Sequence, residues 1–122
     1  VRARPNLEAA LGHAAEAALR AGKPGEARGY AERAVAVNPG DPDHRLRLAV
    51  ALIAEGQFAE ARAALETLLA TTANHAQARA ALAVCLLKLG DGRAALAELD
   101  RAAAINPADG PAIRDWFSAH AR

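Results

Sequence analysis

The chain has 122 residues, 52% apolar but only 3% aromatic, and a formal net charge of +1. That length holds one domain whose core must be built from Ala, Leu and Val, and the high helix propensity of Ala favours an all-α fold. Near-neutral charge gives no electrostatic basis for binding nucleic acid or anionic lipid; a single cysteine, Cys85, excludes a disulfide framework; and the longest apolar run, Ala80 to Leu87, is too short to insert across a membrane.

Residues 1–7 read as a lead-in, with Asn6 placed to cap the first helix. That helix is expected to run to about Ala21 and stop at Gly22, where Lys23-Pro24-Gly25 makes a turn. A second helix, roughly Glu26 to Val37, is ended by Asn38-Pro39-Gly40, because a residue before proline is pushed out of the α region. Asp41 is a good N-cap and Pro42 suits a first helical position, so a third helix is expected over about Pro42 to Glu55. It breaks at Gly56, and the next spans about Phe58 to Ala70. The joint Thr71 to Asn74 lacks a proline and reads as softer than the others. Two more helices follow, about Ala76 to Leu89 and Arg93 to Ile105, broken by Gly90-Asp91-Gly92. After Asn106-Pro107 a last helix, about Pro111 to His120, has no partner. No secretory leader precedes the first helix, so a cytoplasmic location is expected. Methionine is absent at position 1, so the chain is expected to be a processed product or a segment of something longer.

These elements repeat. Leu48, Ala49, Leu52, Gly56, Ala61, Leu65 and Leu68 recur 34 residues later as Leu82, Ala83, Leu86, Gly90, Ala95, Leu99 and Ala102. The same skeleton lies 34 residues earlier as Ala14, Ala15, Ala18, Gly22, Ala27, Ala31 and Ala34. Apolar spacings of three and four within each copy give two helical stripes that meet across the glycine. No copy could bury its stripe alone, so the copies must stack.

The pattern resembles the tetratricopeptide repeat over residues 8–109 and the final helix. The second copy carries it as Arg45, Leu48, Ala49, Leu52, Ala61, Leu65 and Ala73; the third as Arg79, Leu82, Ala83, Leu86, Ala95, Leu99 and Pro107; the first as Leu11, Ala14, Ala15, Ala18, Ala27, Ala31 and Pro39. The resemblance implies an all-α, right-handed α-solenoid forming one domain over residues 1–122. It would have three helix pairs (about 8–41, 42–75 and 76–109) and a capping helix at about 110–122. Ile113, Trp116 and Phe117 share a face of that helix, which makes the only tryptophan a packing residue rather than a recognition site.

No catalytic or cofactor-binding constellation is found, so the chain is expected not to be an enzyme and to need no cofactor or metal. His13, His44, His75 and His120 lack ligand-spaced partners and are read as exposed or capping. Cys85 lies in an apolar helix and is read as a small buried residue. Gly22, Gly56 and Gly90 are corners rather than a phosphate loop. The sets Arg28, Glu32, Arg33; Arg62, Glu66; and Arg93, Glu98, Asp100, Arg101 mix signs, as solvated faces do, and offer no one-sign stripe for nucleic acid.

The resemblance places partner binding on the concave side, lined by the first helix of each pair. Independently, Leu46, Val50 and Ile53 point away from the core pair Leu48 and Leu52 at about 100° per residue, and Ala80, Val84 and Leu87 repeat the arrangement. These are expected to form an apolar strip that becomes open and acidic at Gly12, Glu16 and Leu19, unless neighbouring helices cover it. The expected partner-binding groove is therefore Glu16, Arg20, Leu46, Arg47, Val50, Ile53, Val84, Leu87 and Lys88. Family members that bind acidic chaperone tails do so through a clamp of Lys, Asn and Arg on successive first helices, whose matching points here are Gly12, Glu16, Arg47, Gln77 and Ala81; only Arg47 could serve and Glu16 would repel a carboxylate, so no such binding is expected. The expected function is a protein-interaction adaptor that takes a peptide or helix of a partner. The alternatives are a regulatory or substrate-recruiting segment of a larger enzyme such as a transferase, or a homo-oligomer formed by self-assembly.

Overall fold

A computed structural model describes the backbone of residues 5–122 and side chains from Leu7 onward. The described residues form seven α-helices and no strand: α1 (Pro5–Arg20), α2 (Pro24–Val37), α3 (Pro42–Ala54), α4 (Phe58–Thr71), α5 (Ala76–Lys88), α6 (Gly92–Ile105) and α7 (Gly110–His120). A 3₁₀ turn, Pro107–Asp109, leads into α7 where the sequence suggested only a break. The capping role expected of Asn6 falls on a side chain outside the described residues. α1 begins one residue before it, at Pro5.

All three glycine corners are the same device. Gly22, Gly56 and Gly90 have φ of 73°, 78° and 96°, the left-handed region that a Cβ disfavours. At each, the glycine N–H and the next residue's N–H fold back onto two carbonyls of the last turn: Gly22 to Leu19 and Lys23 to Ala18, Gly56 to Ile53 and Gln57 to Leu52, Gly90 to Leu87 and Asp91 to Leu86. Two otherwise orphaned carbonyls are thereby satisfied at every corner.

The helix starts differ from one another. Asp41 accepts from the Asp43 N–H at 2.9 Å, with Pro42 at the first helical position. Asp91 accepts from the Ala94 N–H at 3.1 Å, and His75 Nδ1 accepts from the Ala78 N–H at 3.2 Å. The joint that lacks proline is therefore closed by side chains: Thr71 Oγ1 donates to the Leu68 carbonyl at one end and His75 caps α5 at the other. α2 has no side-chain cap and starts at Pro24, so Gly25 lies inside the helix rather than in a turn.

Two compact units result, one ending at Gln57 and the other running from Phe58 to Arg122. In the first, α2 packs on α1 and α3 packs on both. Fully buried alanines make that packing close: Ala15, Ala27, Ala31, Ala34, Ala49 and Ala51. Ala18, Ala27 and Ala51 meet in one cluster, with Leu19 and Tyr30 packed against it.

In the second unit α5 is central. α4, α6 and α7 all pack on it, and Ala78 and every residue from Ala80 to Leu86 are buried. α4 contributes Leu65 and Leu68, α6 contributes Ala95, Leu99 and Ala102, and α7 contributes Ile113. Gly110 is buried, and a Cβ there would stand 3.8 Å from that of Ala103. Trp116 and Phe117 are half-buried; Trp116 stacks on His120 with ring centroids 4.0 Å apart.

This packing corrects the apolar strip. Ala80 and Val84 are fully buried, and Ile53 is 7% exposed. A helix flanked on three sides, as α5 is, turns its second apolar stripe into core. Glu98 corrects the solvated-face reading of α6: it is buried, held by Arg79 and Arg101.

Candidate functional site

In the first unit α1 and α3 touch directly, and a chain of polar groups ties them together. Glu8, Gly12 and Glu16 recur at four-residue spacing along one face of α1, while His44 and Arg47, three apart, occupy one face of α3. Glu8 Oε1 accepts from Asn38 Nδ2 at 2.9 Å and lies 2.8 Å from His44 Nε2. His44 Nδ1 lies 3.0 Å from Arg47 Nη1. Arg47 Nε donates to Glu16 Oε1 at 2.9 Å, and the other Glu16 oxygen lies 3.5 Å from Arg20. A side chain at Gly12 would crowd this path, since its Cβ would stand 3.3 Å from Arg47 Nη1.

Donor bookkeeping sets the state of His44, which is 3% exposed. A guanidinium can only donate, so Nδ1 must accept and Nε2 must carry the hydrogen that goes to Glu8. Hydrogen bonds from Asn38 and then His44 hold the Glu8 carboxyl below its ordinary value of 4.5. These groups are matched donor to acceptor, which is how a buried polar cluster avoids a desolvation penalty.

Above the network lies a pocket of about 300 Å³ lined by Glu8, Ala9, Gly12, His13, Asp41, His44 and Arg47. Glu8, Asp41 and His44 bring three potential metal-ligand atoms within 4.8 Å of one another. The histidine argues against a cation there. A metal would need the Nε2 lone pair, which forces the hydrogen onto Nδ1, directly against the Arg47 donor. The pocket instead presents carboxylate oxygens of Glu8 and Asp41 beside the exposed His13, so it suits a hydrogen-bond donor.

Of the expected groove residues, Glu16, Arg20, Leu46, Arg47, Val50 and Ile53 lie on this pair of helices. Leu46 and Val50 are half-buried, and Arg20 is exposed. Ile53 and Val84 are buried and cannot contact a partner. Leu87 and Lys88 are exposed in the second unit, where Lys88 Nζ donates to the Arg122 carbonyl at 3.0 Å. The acidic opening expected at Glu16 is neutralised by Arg47 and Arg20.

Sequence reasoning missed the network in which Glu8 meets Asn38 and His44 and in which His44 meets Arg47, and it read His44 as exposed or capping. The signal was the period itself: stacking sets residues about 34 apart side by side, and the contacts here are 30, 31 and 36 apart. His75 does cap, as expected. Cys85 is buried, which pushes its thiol up to about 11 and keeps it protonated.

No helix among the described residues is long and apolar enough to cross a membrane. No curated protein matches the chain. A family model described as tetratricopeptide repeat matches twice, at residues 18–83 and 52–116, each span covering more than half the chain. The two matches start one repeat apart, in step with the three glycine corners, and together they take in helices from both units: the chain belongs to the tetratricopeptide repeat family.

Proposed function

We propose that the chain is a non-catalytic protein-interaction module whose α1–α3 face takes a segment of a partner protein. Tetratricopeptide repeats generally mediate protein–protein interactions, and the carrying observation here is the composition of that one face. Leu46 and Val50, half-buried at four-residue spacing, give apolar surface to α3, the helix whose His44 and Arg47 line a pocket that also bears Glu8 and Asp41. An amphipathic partner segment suits this pair of helices, with apolar side chains against Leu46 and Val50 and a donor-bearing or basic side chain in the pocket. Arg47 is engaged by Glu16 and His44, which supports the view that acidic chaperone tails find no free cation on this face. The inertness of Cys85 and the mutual pairing of the buried polar groups support a role without chemistry of its own.

A photo-crosslinking residue at Leu46 tests the assignment. It should trap a partner in cells, whereas the same residue at Leu96, 59% exposed on α6, should not. Trapping at Leu96 but not at Leu46 would move the site off α1 and α3.

A further inference from the structure

A second pocket, of about 360 Å³, lies wholly in the second unit and is lined by Asn74, Arg79, Arg101, Ala104 and Ile105. We propose that it binds a phosphoryl group, carried on a phosphorylated peptide or free in solution. The assignment is independent of the α1–α3 face.

The buried carboxylate behind the pocket carries the argument. Glu98, 8% exposed, accepts from Arg79 Nη1 through Oε2 at 2.9 Å and from Arg101 Nη1 through Oε1 at 2.5 Å. Arg79 is fixed again by its Nε, which donates to the Ala73 carbonyl at 2.9 Å. One glutamate therefore positions two guanidiniums, and each of its oxygens is already engaged. A guanidinium has five N–H groups, so Arg79 keeps three and Arg101 keeps four beyond these contacts. Asn74, exposed at the joint before α5, adds its amide. Two positive charges against one negative leave the cluster cationic.

The number and kind of donors favour one class of ligand. A carboxylate has two oxygens and is satisfied by one guanidinium fork. A phosphoryl group offers three terminal oxygens, one for each of Arg79, Arg101 and Asn74, and it draws on both forks. The C-terminus of α6 at Ile105 opposes an anion, but that partial charge is smaller than two whole guanidinium charges. Ala104 and Ile105 complete the lining with apolar surface.

The test is an amide NMR titration of the intact chain with inorganic phosphate, sodium acetate and a neutral peptide bearing one phosphoserine. Phosphate and the phosphopeptide should shift the amides of Asn74, Ala104 and Ile105 saturably, and acetate at equal ionic strength should not. Arg101→Gln, at a side chain 64% exposed, should weaken phosphate binding about tenfold while the helical circular dichroism of the free chain is retained. The phosphopeptide binding more tightly than phosphate would support a phosphorylated partner as the source, and the reverse would support the free ion. Equal shifts from acetate and phosphate, or shifts that survive Arg101→Gln, would overturn the site.

Discussion

His44 shows how much one residue can organise. It is buried, its two nitrogens face opposite kinds of partner, and it links Glu8 on α1 to Arg47 on its own helix. His44→Ala leaves Glu8 with Asn38 and Arg47 with Glu16, so the loss is that of two hydrogen bonds rather than of stranded charges. Urea unfolding should show a cost of about 1–3 kcal/mol. Glu8 adds a pH dependence whose sign is fixed. Its folded-state pKa is depressed below 4.5, so the unfolded chain binds more protons in that range. The Glu8 contribution is therefore fully present above about pH 4.5 and is lost as pH falls through the lower folded value. Stability measured from pH 6 to 3 should fall less steeply in Glu8→Gln than in the parent chain. The repeat period hinted at this network, but the residue types did not single out its members. The residues are common polar and charged types with ordinary surface roles, and the stacking of one repeat on the next selects which of them meet.

The elements were legible, because their ends are written in backbone chemistry. Glycines needing positive φ and prolines that stop helices put almost every boundary within two residues of the expected place. Gly90→Ala tests that reading directly. A Cβ there meets nothing within 4 Å, so the cost is the left-handed backbone alone, about 1–2 kcal/mol by thermal unfolding. What each helix face buries was less legible. The apolar stripe of Ala80, Val84 and Leu87 says that α5 must be covered on a second side, but not that α4, α6 and α7 together do it. Leu87, at the last turn, escapes that cover and is 39% exposed. Val84→Arg should therefore destabilise the second unit by ~3 kcal/mol or more, since a buried guanidinium there has no partner. Ile113→Ala, in α7, should cost ~3 kcal/mol by emptying the contact that seats the capping helix.

For the whole molecule, the sequence period, the glycine corners and two family matches one repeat apart agree on a tetratricopeptide array. The family is read from spacing, whereas the identity of a partner depends on which side chains remain accessible once the helices have packed. Packing removes Ile53 and Val84 from the expected groove and leaves Leu46 and Val50 half-buried on α3, whose His44 and Arg47 line the acidic pocket. The most direct measurement is therefore partner capture by the parent chain and by Val50→Arg, with circular dichroism and melting temperature recorded for both. Arginine at half-buried Val50 can reach water along its own stem, so helicity and melting temperature should hold. The partner should be lost at least tenfold, the effect of a charge placed where an apolar side chain must settle. Capture of the same partner at undiminished affinity by Val50→Arg would contradict docking on the α1–α3 face.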